Sequence, residues 1–314
     1  MRILTAIVII GAAGLVFAAA DDSFQGISVK LPFDAKGNSG KPKQASTPQI
    51  LYHGGPVMNI SNSVYVIYYG TTFAATTQPI INDFLFGLSG SAQYMVNSSY
   101  NAGDNTPFIP ATYAFQPNAK HIFNDNYSQG SQLGTKSVLR IVANAIDHGL
   151  PNDPNGVYLV VTAPDVKIAG FCSSYCAYHN DTNVALAGAT SAHIRFALIP
   201  DPTQRCNACN GGIALYGDTT TPNGDFGADT MTDDIMHELS ETVTDPDISA
   251  WYTQNGAEVA DLCNYVYGND AASGVNALGT YHYNASLPKI AGGYRQYLIQ
   301  QIWKNAPTQA CASN

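Results

Sequence analysis

A chain of 314 residues with a formal net charge of −9 and no basic cluster lacks the Lys and Arg needed to neutralise a phosphate backbone, so nucleic acid is excluded as a partner. Only 12% of the residues are charged, while Tyr, Asn, Ser, Thr and Gly abound, which suits an extracellular protein kept soluble by neutral polar groups. The length allows one large domain, and no linker divides residues 50–314.

Arg2 is followed by a mostly apolar run over residues 3–17 and then Ala18-Ala19-Ala20, an A-x-A exit, which is the pattern of a secretory signal peptide over residues 1–20. The run is shorter than the roughly 20 residues that span a bilayer, and Asp21 and Asp22 follow it, so no transmembrane anchor is expected. Residues 21–49, with AKGNSGKPKQAST inside them, read as a flexible lead-in without chemistry. SVYVIYY, residues 63–69, reads as a strand buried on both faces. Ile80, Ile81, Phe84, Leu85 and Leu88 then recur at helical spacing. Thr135 is placed to cap a second helix whose face is Val138, Leu139, Val142, Ala145 and Ile146, with Gly149 as its stop. VYLVVTA and HIRFALI (residues 193–199) read as further strands, and YLIQQIW (residues 297–303) as one that closes the sheet. The alternation predicts an α/β (α+β) domain with a mixed sheet packed by helices.

The stretch MTDDIMHELSETVTDP, residues 231–246, carries the functional signal. On a helical wheel Ile235, Met236, Leu239 and Val243 share one arc, and His237, Glu238, Glu241, Asp233, Asp234, Ser240 and Thr244 fill the other. Residues i and i+4 stand about 5–6 Å apart at Cβ, so His237 and Glu241 can share one ion in the manner of a helical H-E-x-x-H zinc site with a carboxylate as its second ligand. The chain has 23 acidic residues, of which only Glu238, Glu241 and Glu258 are glutamates, all within 21 residues. A solvated helix face has no need of the longer acid only here; a site with fixed reach does. In AEVADLC, Glu258 or Asp261 is positioned in sequence to supply the third ligand, the other orienting His237. Asp247 is a poor candidate because Pro246 breaks the helix before it.

All six cysteines lie in the second half: Cys172, Cys176, Cys206, Cys209, Cys263 and Cys311. CSSYC with CNAC would suit a four-thiolate zinc site in the cytosol, whereas in a secreted chain an even number points to disulfides, with about 15 pairings open. Cys263 is expected to pair with Cys311, since the other four form two close sets.

YHGGPVM, GVYLVVTAPDV, FCSSYCAYH, PNGDFGAD, HELSETVTDP, AWY and EVADLCNYVYG follow one another over residues 52–303 in the order that resembles the EXORDIUM, or phosphate-induced protein, family of secreted plant proteins and microbial relatives. The resemblance makes residues 50–314 an EXORDIUM-like domain and implies an extracellular place and a link to cell growth. Its pattern has Glu at Glu241 and matches His237, Glu238, Glu258, Asp261 and Cys263, while Asp247 falls where members have an apolar residue. Asp245 stands where plant members often have Asn, and NDAASG replaces a Gly-rich stretch.

Two functions follow as expectations. In the first, the domain is zincin-like, the HELSE helix borders a cleft, His237, Glu241 and Glu258 or Asp261 hold zinc, and Glu238 is the general base of a peptidase-like hydrolase. His179, Trp251 and Tyr252 would flank the substrate, an extracellular peptide or cell-wall component. In the second, the protein is a non-catalytic growth or cell-surface factor and the same residues form a structural ion site. No G-x-S-x-G occurs to support a serine hydrolase, and Glu238 with Glu258 could serve as a glycosidase pair.

Overall fold

Strand β1 (Ser63–Tyr69) is the SVYVIYY run, and all of it but Ser63 is buried. It lies between β2 (Ile122–Asp125) and β3 (Gly156–Thr162), parallel to both. The polar strand β4 (Tyr178–Ala185) runs antiparallel to β5 (Ser191–Pro200), and β5 is parallel to β3. The sheet order is therefore β2-β1-β3-β5-β4, with Ile27–Ser28 paired antiparallel along the outer edge of β4. The computed structural model of the protein describes residues 27–28, 50–103, 105–187, 190–268 and 274–313. The expected signal peptide and all of residues 21–49 except Ile27 and Ser28 lie outside the described residues.

Helix α1 (Thr77–Leu88) joins β1 to β2, and α2 (Thr135–Asp147) joins β2 to β3, as parallel neighbours require. The third long helix, α3 (Phe226–Thr244), carries the HELSE motif. Val64, Val66 and Tyr68 of β1 pack on one face with Ile81 and Phe84 of α1 and Ile235 and Leu239 of α3. Tyr65, Ile67 and Tyr69 pack on the other with Val138, Ile141 and Val142 of α2. Helices on both faces explain why β1 and β3 read as continuous apolar runs instead of alternating ones. The expected α/β class with a mixed sheet holds.

Three local expectations change. The N-cap of α2 is Gly134, with Thr135 already helical, because the Gly134 carbonyl accepts the first turn's hydrogen bond from Ser137 N. Residues 297–303 add no strand to the main sheet. Tyr294–Tyr297 pairs with Ala285–Pro288 and Ile302–Lys304 with Ala310–Ala312, because Gln300 N is drawn to Asp233 Oδ1 of α3 and Gln301 N to Val266 O. The polar arc of α3, expected to border a cleft, is enclosed: every residue from 227 to 244 is buried, and β4 and surrounding loops cover it.

The cysteines form disulfides Cys172–Cys206, Cys176–Cys209 and Cys263–Cys311, with none free. Closing loops of 33, 34 and 48 residues removes unfolded-state entropy worth about 4 kcal/mol per bridge in the chain-entropy model. Cys176 lies two residues before the start of β4, the strand that carries His179, and Cys263 lies two residues after Asp261, so two bridges anchor segments that meet α3. Intact mass is expected to rise on reduction by six hydrogens, with no alkylation beforehand; two or more reactive thiols in the unreduced protein would contradict this pairing.

Candidate metal centre

Both ends of α3 are fixed by side chains. Asp225 Oδ1 accepts from Ala228 N as the N-cap, and its Oδ2 accepts from the Thr76 and Thr77 hydroxyls, fastening α3 to the start of α1. At the other end Pro246 stops the helix, and Asp245 Oδ1 accepts from Ser249 N and Ala250 N. With its ends held, α3 sets His237 and Glu241 one turn apart, Nε2 to Oε1 3.1 Å.

Two other segments converge on that turn. Register places His179 of β4 opposite Ala197 of β5, and its Nε2 lies 3.0 Å from Glu258 Oε2 and 3.6 Å from Glu241 Oε2. The loop tightened by Cys263 brings Asp261 Oδ1 to 3.7 Å from His237 Nε2, and Asp261 N donates to Glu241 Oε1 at 3.0 Å. Glu258 N in turn donates to Asp261 Oδ2. His237, Glu238, Glu241 and Glu258 are at most 1% exposed.

The ring of His237 is oriented by a residue that sequence reasoning missed. Gln300 donates through Nε2 to Ala260 O, which turns its Oε1 to His237 Nδ1 at 3.0 Å. Nδ1 therefore carries the proton of the neutral ring, and Nε2 presents a lone pair to the Glu241 and Asp261 oxygens. That arrangement is repulsive unless a cation, a proton or a metal ion, sits between them. His237 accordingly titrates well above the ordinary range: burial alone would lower it, but Glu241, then Glu238 and Asp261, overcome burial. Glu241 is also desolvated, yet the His237 charge, His179 and the Asp261 amide hold it below its usual range.

The neighbouring acids respond differently. Burial, reinforced by Glu241, pushes Glu258 well above the carboxylate range, and burial with Glu241 and Asp234 does the same to Glu238 against the pull of His237. Burial lowers His179 to about 4, so it is neutral at pH 7. His237 Nε2, Glu241 Oε2, Glu258 Oε1 and both oxygens of Glu238 are buried without a hydrogen-bond partner, a cost of about 1–3 kcal/mol for each such group. His237, Glu241 and Asp261 form one group that could hold a metal ion, and His179, Glu241 and Glu258 form another.

Of the residues expected around a substrate, His179 instead lies inside the buried cluster. Trp251 packs on Tyr52 and Tyr100 with Nε1 donating to Asn101 O, and Tyr252 stacks on His53. Asp247 lies apart from the His237 cluster: it pairs with Arg195 at 2.8 Å and stands in a separate group with Asp181 and His193. Glu258 and Asp261 do not contend for the free ring nitrogen of His237, which Gln300 holds. The one hint of Gln300 in the sequence is a polar pair inside an otherwise apolar run. Gln300→Ala is expected to weaken metal binding about 10–100-fold, the usual effect of losing the partner that orients a ligand, measured by zinc titration with a competing chelator; unchanged affinity would remove Gln300 from the site.

The model of the phosphate-induced protein 1 conserved region matches residues 50–314. Protein EXORDIUM-like 3 of Arabidopsis thaliana is 27% identical over 288 residues, 85% of this chain and 83% of that protein. Protein EXORDIUM-like 5 of the same plant is 29% identical over 298 residues, covering 84% and 77%. Protein PHOSPHATE-INDUCED 1 of Nicotiana tabacum is 24% identical over 286 residues, covering 84% and 88%. No solved structure matches the chain. With the family pattern running from residue 50 through the residues around His237 to residue 314, the chain belongs to the phosphate-induced protein 1, or EXORDIUM-like, family.

Proposed function

We propose that this protein is a secreted EXORDIUM-like protein that holds a divalent cation, zinc in the first instance, on His237, Glu241 and Asp261, and acts as a zincin-like hydrolase on an extracellular peptide or cell-wall component. The observation that carries the reading is the His237 Nε2 lone pair, buried and aimed at carboxylate oxygens with no hydrogen-bond partner of its own. Donors about 2.0–2.2 Å from a tetrahedral ion stand about 3.3–3.6 Å from one another, and the 3.1 and 3.7 Å spacings around His237 bracket that range. Nitrogen and carboxylate oxygen are a legitimate zinc donor set.

Zinc, when bound, supplies Lewis acidity that makes water a nucleophile near neutral pH. The chain's own residues divide the remaining work. Gln300 holds the His237 tautomer, and Asp261 N holds Glu241 Oε1 in place. Glu238, whose two oxygens have no other hydrogen-bond partner, takes the proton of the attacking water and returns it to the leaving group. A cation beside it would also bring its raised pKa back toward the range in which it is ionised at pH 7.

The near-complete burial of these residues favours a second reading, a non-catalytic growth factor in which the ion is structural. Metal analysis of the purified protein joined to a broad peptide and glycan cleavage screen separates the cases. Bound zinc with cleavage that a chelator stops is the expected result; bound zinc without cleavage leaves the structural reading, and no metal after incubation with zinc defeats both.

A further inference from the structure

Glu241 has two carboxylate oxygens, and each faces a different set of donors. Oε1 lies 3.1 Å from His237 Nε2, whose other acidic neighbour is Asp261 at 3.7 Å. Oε2 lies 3.6 Å from His179 Nε2, whose other acidic neighbour is Glu258 at 3.0 Å. Each set consists of one imidazole Nε2, one private carboxylate and one oxygen of Glu241, and within each the donor atoms lie within 4.8 Å of one another. We propose that this is a dinuclear centre, in which Glu241 bridges two divalent cations of the zinc or manganese class, one on His237 and Asp261 and the other on His179 and Glu258. The inference rests on the metal-centre reading above and adds the second ion and its ligands.

Three observations favour two ions over one. Glu241 Oε2 and Glu258 Oε1 are fully buried without a hydrogen-bond partner, and an ion at His237 alone leaves these two oxygens unsatisfied, with His179 Nε2 hydrogen-bonded to Glu258 Oε2 only. The three carboxylates of the two sets, Glu241, Glu258 and Asp261, carry more negative charge when ionised than one divalent cation neutralises. A carboxylate that gives one oxygen to each ion suits the roughly 3.5–4 Å separation of hydrolytic two-metal sites. The segments that deliver the second set are rigid: β4 is hydrogen-bonded along its length to β5, and the Cys176–Cys209 bridge anchors the turn that leads into it. Each ion would complete its coordination with water or substrate oxygen. The pair would supply Lewis acidity to the attacking water and to the substrate oxygen, which suits hydrolysis of an amide or a phosphoester.

The test is stoichiometry and magnetic coupling in the full secreted chain, stripped with a chelator and reloaded with Zn²⁺ or Mn²⁺. Elemental analysis should find two ions per chain in the wild type and one in His179→Ala. With Mn²⁺, the wild type should show the spectrum of an exchange-coupled pair in electron paramagnetic resonance, and His179→Ala the six-line signal of an isolated ion. The wild-type spectrum decides the question even if the variant fails to fold. One ion per chain with an uncoupled signal in the wild type overturns the dinuclear proposal while leaving the His237 site standing. No ion at all overturns both.

Discussion

Glu238→Gln is expected to fold, to keep its metal and to lose about 10²–10⁴-fold in hydrolytic rate, the usual contribution of a general base. The substitution conserves shape and removes only the group that can accept a proton. Glu238 has no exposure, and its two oxygens have no hydrogen-bond partner to lose. Circular dichroism and elemental analysis establish fold and metal content, and initial rates on the best substrate from the cleavage screen give the loss. A variant with wild-type activity would remove Glu238 from the chemistry. A variant without metal would make it a ligand instead.

Zinc at a thousand times its dissociation constant is expected to stabilise the chelated protein by about 4 kcal/mol. At about 2 °C per kcal/mol for a domain of this size, that is a rise of about 8 °C in Tm. His237→Ala should abolish the rise. The pH dependence of the metal-free form follows from its buried acids. Burial raises Asp229, Asp233 and Asp245 from 3.8 to about 6, and raises Asp234, Glu238 and Glu258 well above the ordinary range. A raised folded pKa means that the folded state holds the proton more tightly. The stability these groups contribute is complete below their unfolded pKa and is lost as pH climbs through about 6 and beyond. His179, lowered from 6.5 to about 4, and Glu241, lowered also, act in the opposite sense, but the raised acids outnumber them. The chelated protein should therefore lose Tm between pH 5 and pH 8, a scan over about three units that spans these pKa values. The increment from zinc should grow over the same interval, because the ligands bind deprotonated. A chelated protein that is most stable at pH 8 and indifferent to zinc would mean that the carboxyl cluster is satisfied without a cation.

Much of the frame is legible in the residues. A run such as SVYVIYY, with no charged or strongly polar residue after Ser63, belongs in a central strand covered on both faces, and it is one. The polar strand β4 is invisible by the same logic. Its stretch YHNDTNVA has no β-former pattern, and it is a strand because β5 offers a free edge with which to pair. The helical wheel separated the apolar arc of α3 from the polar one and suggested a cleft beside it, but only the packing of β4 and the loops around Glu258 and Gln300 shows that the polar arc is enclosed.

Chain chemistry by itself determined which residue types the site would use. Three glutamates confined to one short region, with aspartate everywhere else, mark where a longer acid is needed, and all three prove to be fully buried near His237. The pairing of Cys263 with Cys311 was likewise within reach of counting. What only the tertiary structure decided is which atom meets which. Gln300 takes the free nitrogen of His237, Glu258 turns to His179, and Asp261 turns to His237. Those choices depend on the register of β4 against β5, on the bridge at Cys263 and on the backbone of Gln300 being drawn to Asp233. They are contacts between segments dozens of residues apart, and local spacing carries no information about them, because strand register and loop closure are set by the energy of the whole packed core.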